Sequence, residues 1–189
     1  MRRTMLIGAV ALLTLLGALP VGAATDRTVE DVVGQGPGGS IVGAAELTRS
    51  ANGLHVDVTM TAPAPGSYSY PDGALNGGGP EVYSLWAFVF PNPGLCGTDG
   101  CAGLGDVKAS GGGVFNVAGH PVNGETLVLS GHITRNTEPF ALNHLTNVAG
   151  AEVHVAVAPH GTLDAAQMPA QATIPSGDSP AWWWIALFK

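Results

Sequence analysis

From Ser40 onward, hydrophobic and polar residues alternate in short runs that Gly, Pro and Asn separate. In "GLHVDVTMTA", Leu54, Val56, Val58 and Met60 fall on one side, while His55, Asp57 and Thr59 fall on the other. Successive side chains of a strand point to opposite faces, so this run predicts a half-buried strand of an antiparallel sheet. "SIVGAAELTRS" precedes it across Ala51-Asn52-Gly53, and Asn-Gly suits the left-handed backbone of a tight hairpin. "EVYSLWAFVF" is apolar on both faces and belongs at a sheet centre. "VKASGGGVFNVAGH" and "ETLVLSGHITR" read as strands around a second Asn-Gly turn at Asn123-Gly124. "AEVHVAVAPHG" reads as a strand with Val153, Val155 and Val157 inward. Two connections complete the pattern: "PAPGSYSYPDGALNGGGP", with Asp72-Gly73 and Asn76-Gly77 turns, and "TEPFALNHLTNVAG", with one helical turn. About seven to eight short strands, spaced by about ten residues, predict an all-β fold, an antiparallel β-sandwich.

The two ends need separate treatment. The chain closes on "SPAWWWIALFK". Its apolar run is far short of the ~20 residues that a helix needs to span a bilayer. As a strand, Trp182 and Trp184 share one face while Trp183 and Ile185 share the other, so the three indoles make no single flat platform. The run therefore predicts a closing strand buried between neighbours. At the other end, Arg2 and Arg3 precede an apolar stretch from Met5 to Leu16, a break at Pro20 and the small residues Val21, Gly22, Ala23 and Ala24. That order is a signal peptide over residues 1–23, cleaved after Ala23 or Ala24. It predicts a secreted, extracellular protein with no stable membrane anchor. Residues 24–39, polar and then Gly-rich, read as a flexible lead-in, and residues 40–189 as a single domain.

Composition sharpens this picture. Losing Arg2 and Arg3 leaves 5 Lys+Arg against 14 Asp+Glu, a net charge of −9. So few cations cannot neutralise a phosphate backbone, which excludes nucleic acid as a partner, and anionic lipid is disfavoured for the same reason. A hydrophobic content of 46% supports a proper core despite 28 Gly and 14 Pro. The only cysteines, Cys96 and Cys101, lie in "LCGTDGCAG". In an exported chain an even pair predicts a disulfide. C-x4-C has neither the two-residue spacing of a redox motif nor the second pair of a zinc site.

Particular residues carry a resemblance. "EVYSLWAFVFPNPGLCGTDGC" and "GAEVHVAVAPHG" present Tyr83, Leu85, Trp86, Phe90 and Pro91, then Cys96 and Cys101. Gly119 and His120, Ala151 to His154, and His160 and Gly161 follow in order. In these positions the chain resembles a loose group of exported bacterial β-sandwich proteins without an established activity. More distantly its strand plan is similar to the CHRD (chordin-type) domain and its superoxide-dismutase-like sandwich. The resemblance implies an immunoglobulin-like or CHRD-like architecture. The paired His-x-His of CHRD domains is absent, so no metal role follows from it.

The candidate chemistry is sparse. Six histidines (His55, His120, His132, His144, His154 and His160) are good copper or zinc ligands in principle. His132 and His154 would meet if their strands were adjacent, with His120 or His160 nearby and Glu152 orienting His154. No pair has the i, i+2 spacing that sets two ligands on one strand face, and His55 reads as solvated. The expectation is no metal site and no cofactor, with a histidine-based copper or zinc protein as the alternative. "GDSP" (Gly177 to Pro180) lacks the glycines of a protease oxyanion loop and any partner motif, so it reads as a turn. Asp99 alone cannot supply the six to eight oxygens of a calcium site. No catalytic residue is assigned. The sequence thus points to a non-catalytic extracellular binding or structural module with an unspecified ligand.

Overall fold

The computed structural model describes residues 25–34, 39–63, 79–174 and 184–189. The expected signal peptide, the expected turns at Asp72-Gly73 and Asn76-Gly77, Gly177 to Pro180, and Trp182 and Trp183 lie outside the described residues.

Nine strands occur among the described residues: β1 (Asp26–Gly34), β2 (Ile41–Ser50), β3 (Gly53–Thr61), β4 (Glu81–Phe90), β5 (Gly113–Val122), β6 (Thr126–Thr134), β7 (Ala141–Leu142), β8 (Glu152–Thr162) and β9 (Trp184–Phe188). Two short helices accompany them, α1 (Gly103–Ala109) and α2 (Ala170–Thr173). The all-β expectation therefore holds. All nine strands, where about seven to eight were expected, join one antiparallel sheet in the order β6-β3-β2-β1-β9-β8-β4-β5-β7. The last strand makes the difference. β9 pairs with β8 over five residues and with β1 through only Val33↔Ile185 and Gly34↔Trp184. It thereby links a β1–β3, β6 half to a β4, β5, β7, β8 half.

The sheet curls, and one face of both halves lines a common core. Leu47, Leu54, Val56, Leu127, Leu129 and Ile133 from the first half pack in one cluster with Tyr83, Leu85, Phe115, Val153 and Val155 from the second and Phe188 from β9. Burial of this apolar surface is the main favourable term in folding. β4 is buried at nine of its ten positions, as its two apolar faces predict. A second cluster, with Trp86, Phe90, Val107 and Val114, covers the outer face of the β4 half.

Several local readings are corrected. The lead-in contains β1, which a polar sequence disguised. Only Val32 of β1 is buried, and the strand is held by pairing along β2 and by the Arg27–Glu46 ion pair. Val107 to Ala109 belong to α1 rather than to a strand, because Asp106 accepts the backbone N–H groups of Gly97 and Ala102 and ties the helix to the disulfide loop. The 137–150 connection contains β7 and no helical turn. The β2–β3 hairpin forms with Ala51 and Asn52 in its turn. Gly53 has no left-handed backbone there; its Cβ would fall 2.3 Å from the Ile133 carbonyl oxygen, so close strand approach is what requires glycine. β5 and β6, joined across Asn123-Gly124, pair with β4 and β3 instead of with each other.

Candidate functional site: an apolar pocket on the outer face

Alternation along β4 puts Tyr83, Leu85, Ala87 and Val89 into the common core and turns Ser84, Trp86, Phe88 and Phe90 outward. On β8 the same rule sends Val153, Val155 and Val157 inward and His154 and Ala156 outward, with Phe88 opposite His154 and Trp86 opposite Ala156. Two pieces flank this surface. The Cys96–Cys101 disulfide (S–S 2.03 Å) and α1 pack against one end, where Val107 is buried. α2 lies at the other, with Ala172 buried and its carbonyl accepting from Asn116 Nδ2 at 3.2 Å.

A pocket of about 460 Å3 lies on this outer face, lined by Trp86, Phe88, Phe90, Leu104, Phe140 and Ile185 with the His154 imidazole. Phe140 stands edge-on to Trp86 with ring centroids 5.4 Å apart, although more than half of its surface is exposed. Leu104 on α1 is similarly exposed. Ala156 contributes a small floor, which is why β8 leaves room there between larger neighbours. Apolar concavities that carry one or two convergent polar groups are the usual form of a ligand site.

The polar groups are firmly held. His154 Nε2 donates to Glu152 Oε1 at 2.7 Å, both side chains being mostly buried, and the ring packs 4.7 Å from Phe90. An ionised carboxylate only accepts, so the neutral ring keeps its lone pair on Nδ1. Further along the same face, Trp86 Nε1 donates to Ser84 Oγ at 2.6 Å, and Ser84 donates to His160 Nε2 at 2.5 Å. Burial pushes the His160 pKa down to about 4, so the ring is a neutral acceptor at pH 7. Ser84 is fully buried, and no carboxylate bonds His160 among the described residues. Trp86, Ser84 and His160 thus form a hydrogen-bond relay, in which Ser84 is buried where the nucleophile of a catalytic triad is exposed.

The other histidines lie away from this face, and His132 is beside His55 of β3 rather than His154. β6 and β8 are not neighbours, so His132 and His154 do not meet. His120 is exposed on β5, and His144 is an exposed loop residue whose Nδ1 lies 3.3 Å from the Thr137 carbonyl. Among the described residues no three His, Cys, Asp or Glu side chains come together to hold a metal. The expected Glu152–His154 pairing is present, while the Ser84–His160 contact, 76 residues apart, left no sequence signal beyond the buried character of β4. No helix among the described residues is long and apolar enough to cross a membrane. Comparison with family models, curated proteins and solved structures finds no match to this chain.

Proposed function

We propose that this protein is an exported, non-catalytic binding module that receives an apolar, ring-bearing group in the pocket over β4 and β8. One observation carries the reading: an aromatic-lined cavity of about 460 Å3 with a single fixed imidazole at its wall. Aromatic rings and Leu104 supply contact area, and His154 supplies orientation through the lone pair of Nδ1. Export is supported by the charge pattern and small residues of the first 24 positions, and a local disulfide suits an oxidising compartment. The resemblance to exported bacterial sandwich proteins agrees with this reading. The curled sheet, with two halves sharing one core, supports an immunoglobulin-like or CHRD-like sandwich as the architectural description.

The test uses an environment-sensitive apolar dye, anilinonaphthalene sulfonate, titrated into the mature chain. One saturable site is expected. Ala156→Phe, which fills the floor, should weaken binding at least ~10-fold, and Phe140→Ala should weaken it several-fold, an aromatic contact being worth ~1 kcal/mol. Unchanged titrations in both variants would sink the reading.

A further inference from the structure

Two histidines meet on a different face, where no reading of single strands would bring them together. His55 on β3 and His132 on β6 are direct cross-strand partners. Both are solvent-exposed, with ring centroids 6.5 Å apart and planes inclined by 47°. Asp57, two residues along β3 on the same face, lies with Oδ2 3.0 Å from His55 Nε2. Its Oδ1 accepts from Ser130 Oγ at 2.5 Å, and Ser130 is in turn the cross-strand partner of Asp57. The carboxylate can only accept, so the neutral His55 ring carries its proton on Nε2 and its lone pair on Nδ1. That division of labour, carboxylate on one ring nitrogen and metal on the other, is how ligating histidines are oriented.

Distance and charge agree with such a use. Metal–imidazole bonds are about 2.0–2.1 Å, so two rings flanking one ion at a wide angle have centroids roughly 6 Å apart. The observed spacing needs only rotation of solvated side chains, which occurs in picoseconds to nanoseconds. Glu46 on β2 is the cross-strand partner of Asp57, and Arg27 pairs with Glu46. Two carboxylates against one guanidinium leave this strip of the sheet negative, which favours a dication.

We propose that His55 and His132 form a two-imidazole site for a transition-metal dication, with Cu(II) held most tightly, as the order of divalent affinities requires. Water fills the remaining positions. Asp57 is a positioning residue. With two protein ligands the ion exchanges freely and is stripped by chelators during purification. When bound it clips β3 to β6, the strand at one end of the sheet order. The site shares no residue with the apolar pocket and stands independently of it.

The experiment titrates the mature chain with Cu(II), and separately with Zn(II), at neutral pH. Calorimetry gives affinity, and paramagnetic resonance counts bound nitrogens. One site per chain with two nitrogen ligands is expected. His55→Gln and His132→Gln should each weaken Cu(II) binding ~10-fold or more, and Asp57→Asn should weaken it ~10-fold by freeing the His55 ring. His144→Gln, at an exposed histidine elsewhere, should leave it unchanged. Cu(II) should raise the melting temperature of the parent and not of His132→Gln, since only a ligand bound by the folded state stabilises it. A single-nitrogen spectrum, or losses in His55→Gln and His132→Gln no larger than in His144→Gln, would overturn the proposal. The three histidine positions are exposed and Asp57 is half-buried, and metal-free melts matching the parent's verify that the four variants fold.

Discussion

His160 is the residue at which burial most changes ordinary chemistry. In the unfolded chain its imidazole titrates near the ordinary value of 6.5, and in the folded protein burial lowers it to about 4. Between those values the unfolded chain binds a proton that the native state excludes, so this contribution to stability is fully present above about pH 6.5 and is lost as pH falls towards 4. The complete loss is about 3 kcal/mol. His160→Gln keeps an acceptor for Ser84 and cannot titrate, so its stability should fall by about one proton's slope less than the parent's across that window. Denaturant melts at pH 7 and 4.5 check this, and parallel losses in parent and variant would remove His160 as the titrating group. The relay was not legible because Ser84 and His160 are 76 residues apart and neither carries a motif. His154 was better served: its carboxylate partner is two residues away on the same strand face, a spacing that sequence alone reveals.

At the scale of elements, β9 shows how far a run of residue types can be read. Aromatic and β-branched residues near the end of the chain predicted a strand between neighbours, and residues 184–188 lie between β1 and β8. Trp184, Ala186 and Phe188 face the common core, while Ile185 joins the outer cluster and Leu187 is exposed. Phe188→Ala should therefore lower stability by about 3–5 kcal/mol through a cavity next to Val153, whereas Leu187→Ala should cost under about 1 kcal/mol. Urea melts of the two variants test the facing directly, and equal costs would show that the strand's register is wrong. β1 and α1 were missed for opposite reasons. β1 has too few buried positions to show an alternation, and its order comes from pairing with β2. α1 has only seven residues, too short for a period to register, and is held by Asp106 and the adjacent disulfide loop. The disulfide itself was plain from cysteine count and context.

On the scale of the whole molecule, the decisive contact is where the two halves of the curled sheet close on each other. β5 and β6 exchange no strand pairing, yet the Val117 carbonyl oxygen would lie 2.2 Å from a Cβ placed on Gly131. Backbone on one side of that gap cannot rotate away. Gly131→Ala should then cost ~2 kcal/mol or more by forcing the halves apart. Gly105→Ala in α1, where a Cβ meets nothing within 4 Å, should be neutral or stabilise by ~0.5–1 kcal/mol. Thermal melts of the two variants provide the comparison, and an undisturbed Gly131→Ala protein would mean that the seam has slack.

The sequence alone determined what depends on neighbours along the chain. Periodicity two sets which side chains share a face, Asn-Gly marks turns, and two cysteines close in sequence form a bridge. These are local constraints, and β3, β4 and β8 obeyed them position by position. Only the tertiary structure decided which strands are neighbours, because pairing partners such as β3 and β6 differ by about seventy residues while their hydrogen-bonding edges are chemically alike. From that choice came the union of two halves through β9, the pocket over β4 and β8, and the meeting of His55 with His132. Backbone edges carry no address; the fit of side chains across the curled core supplies it.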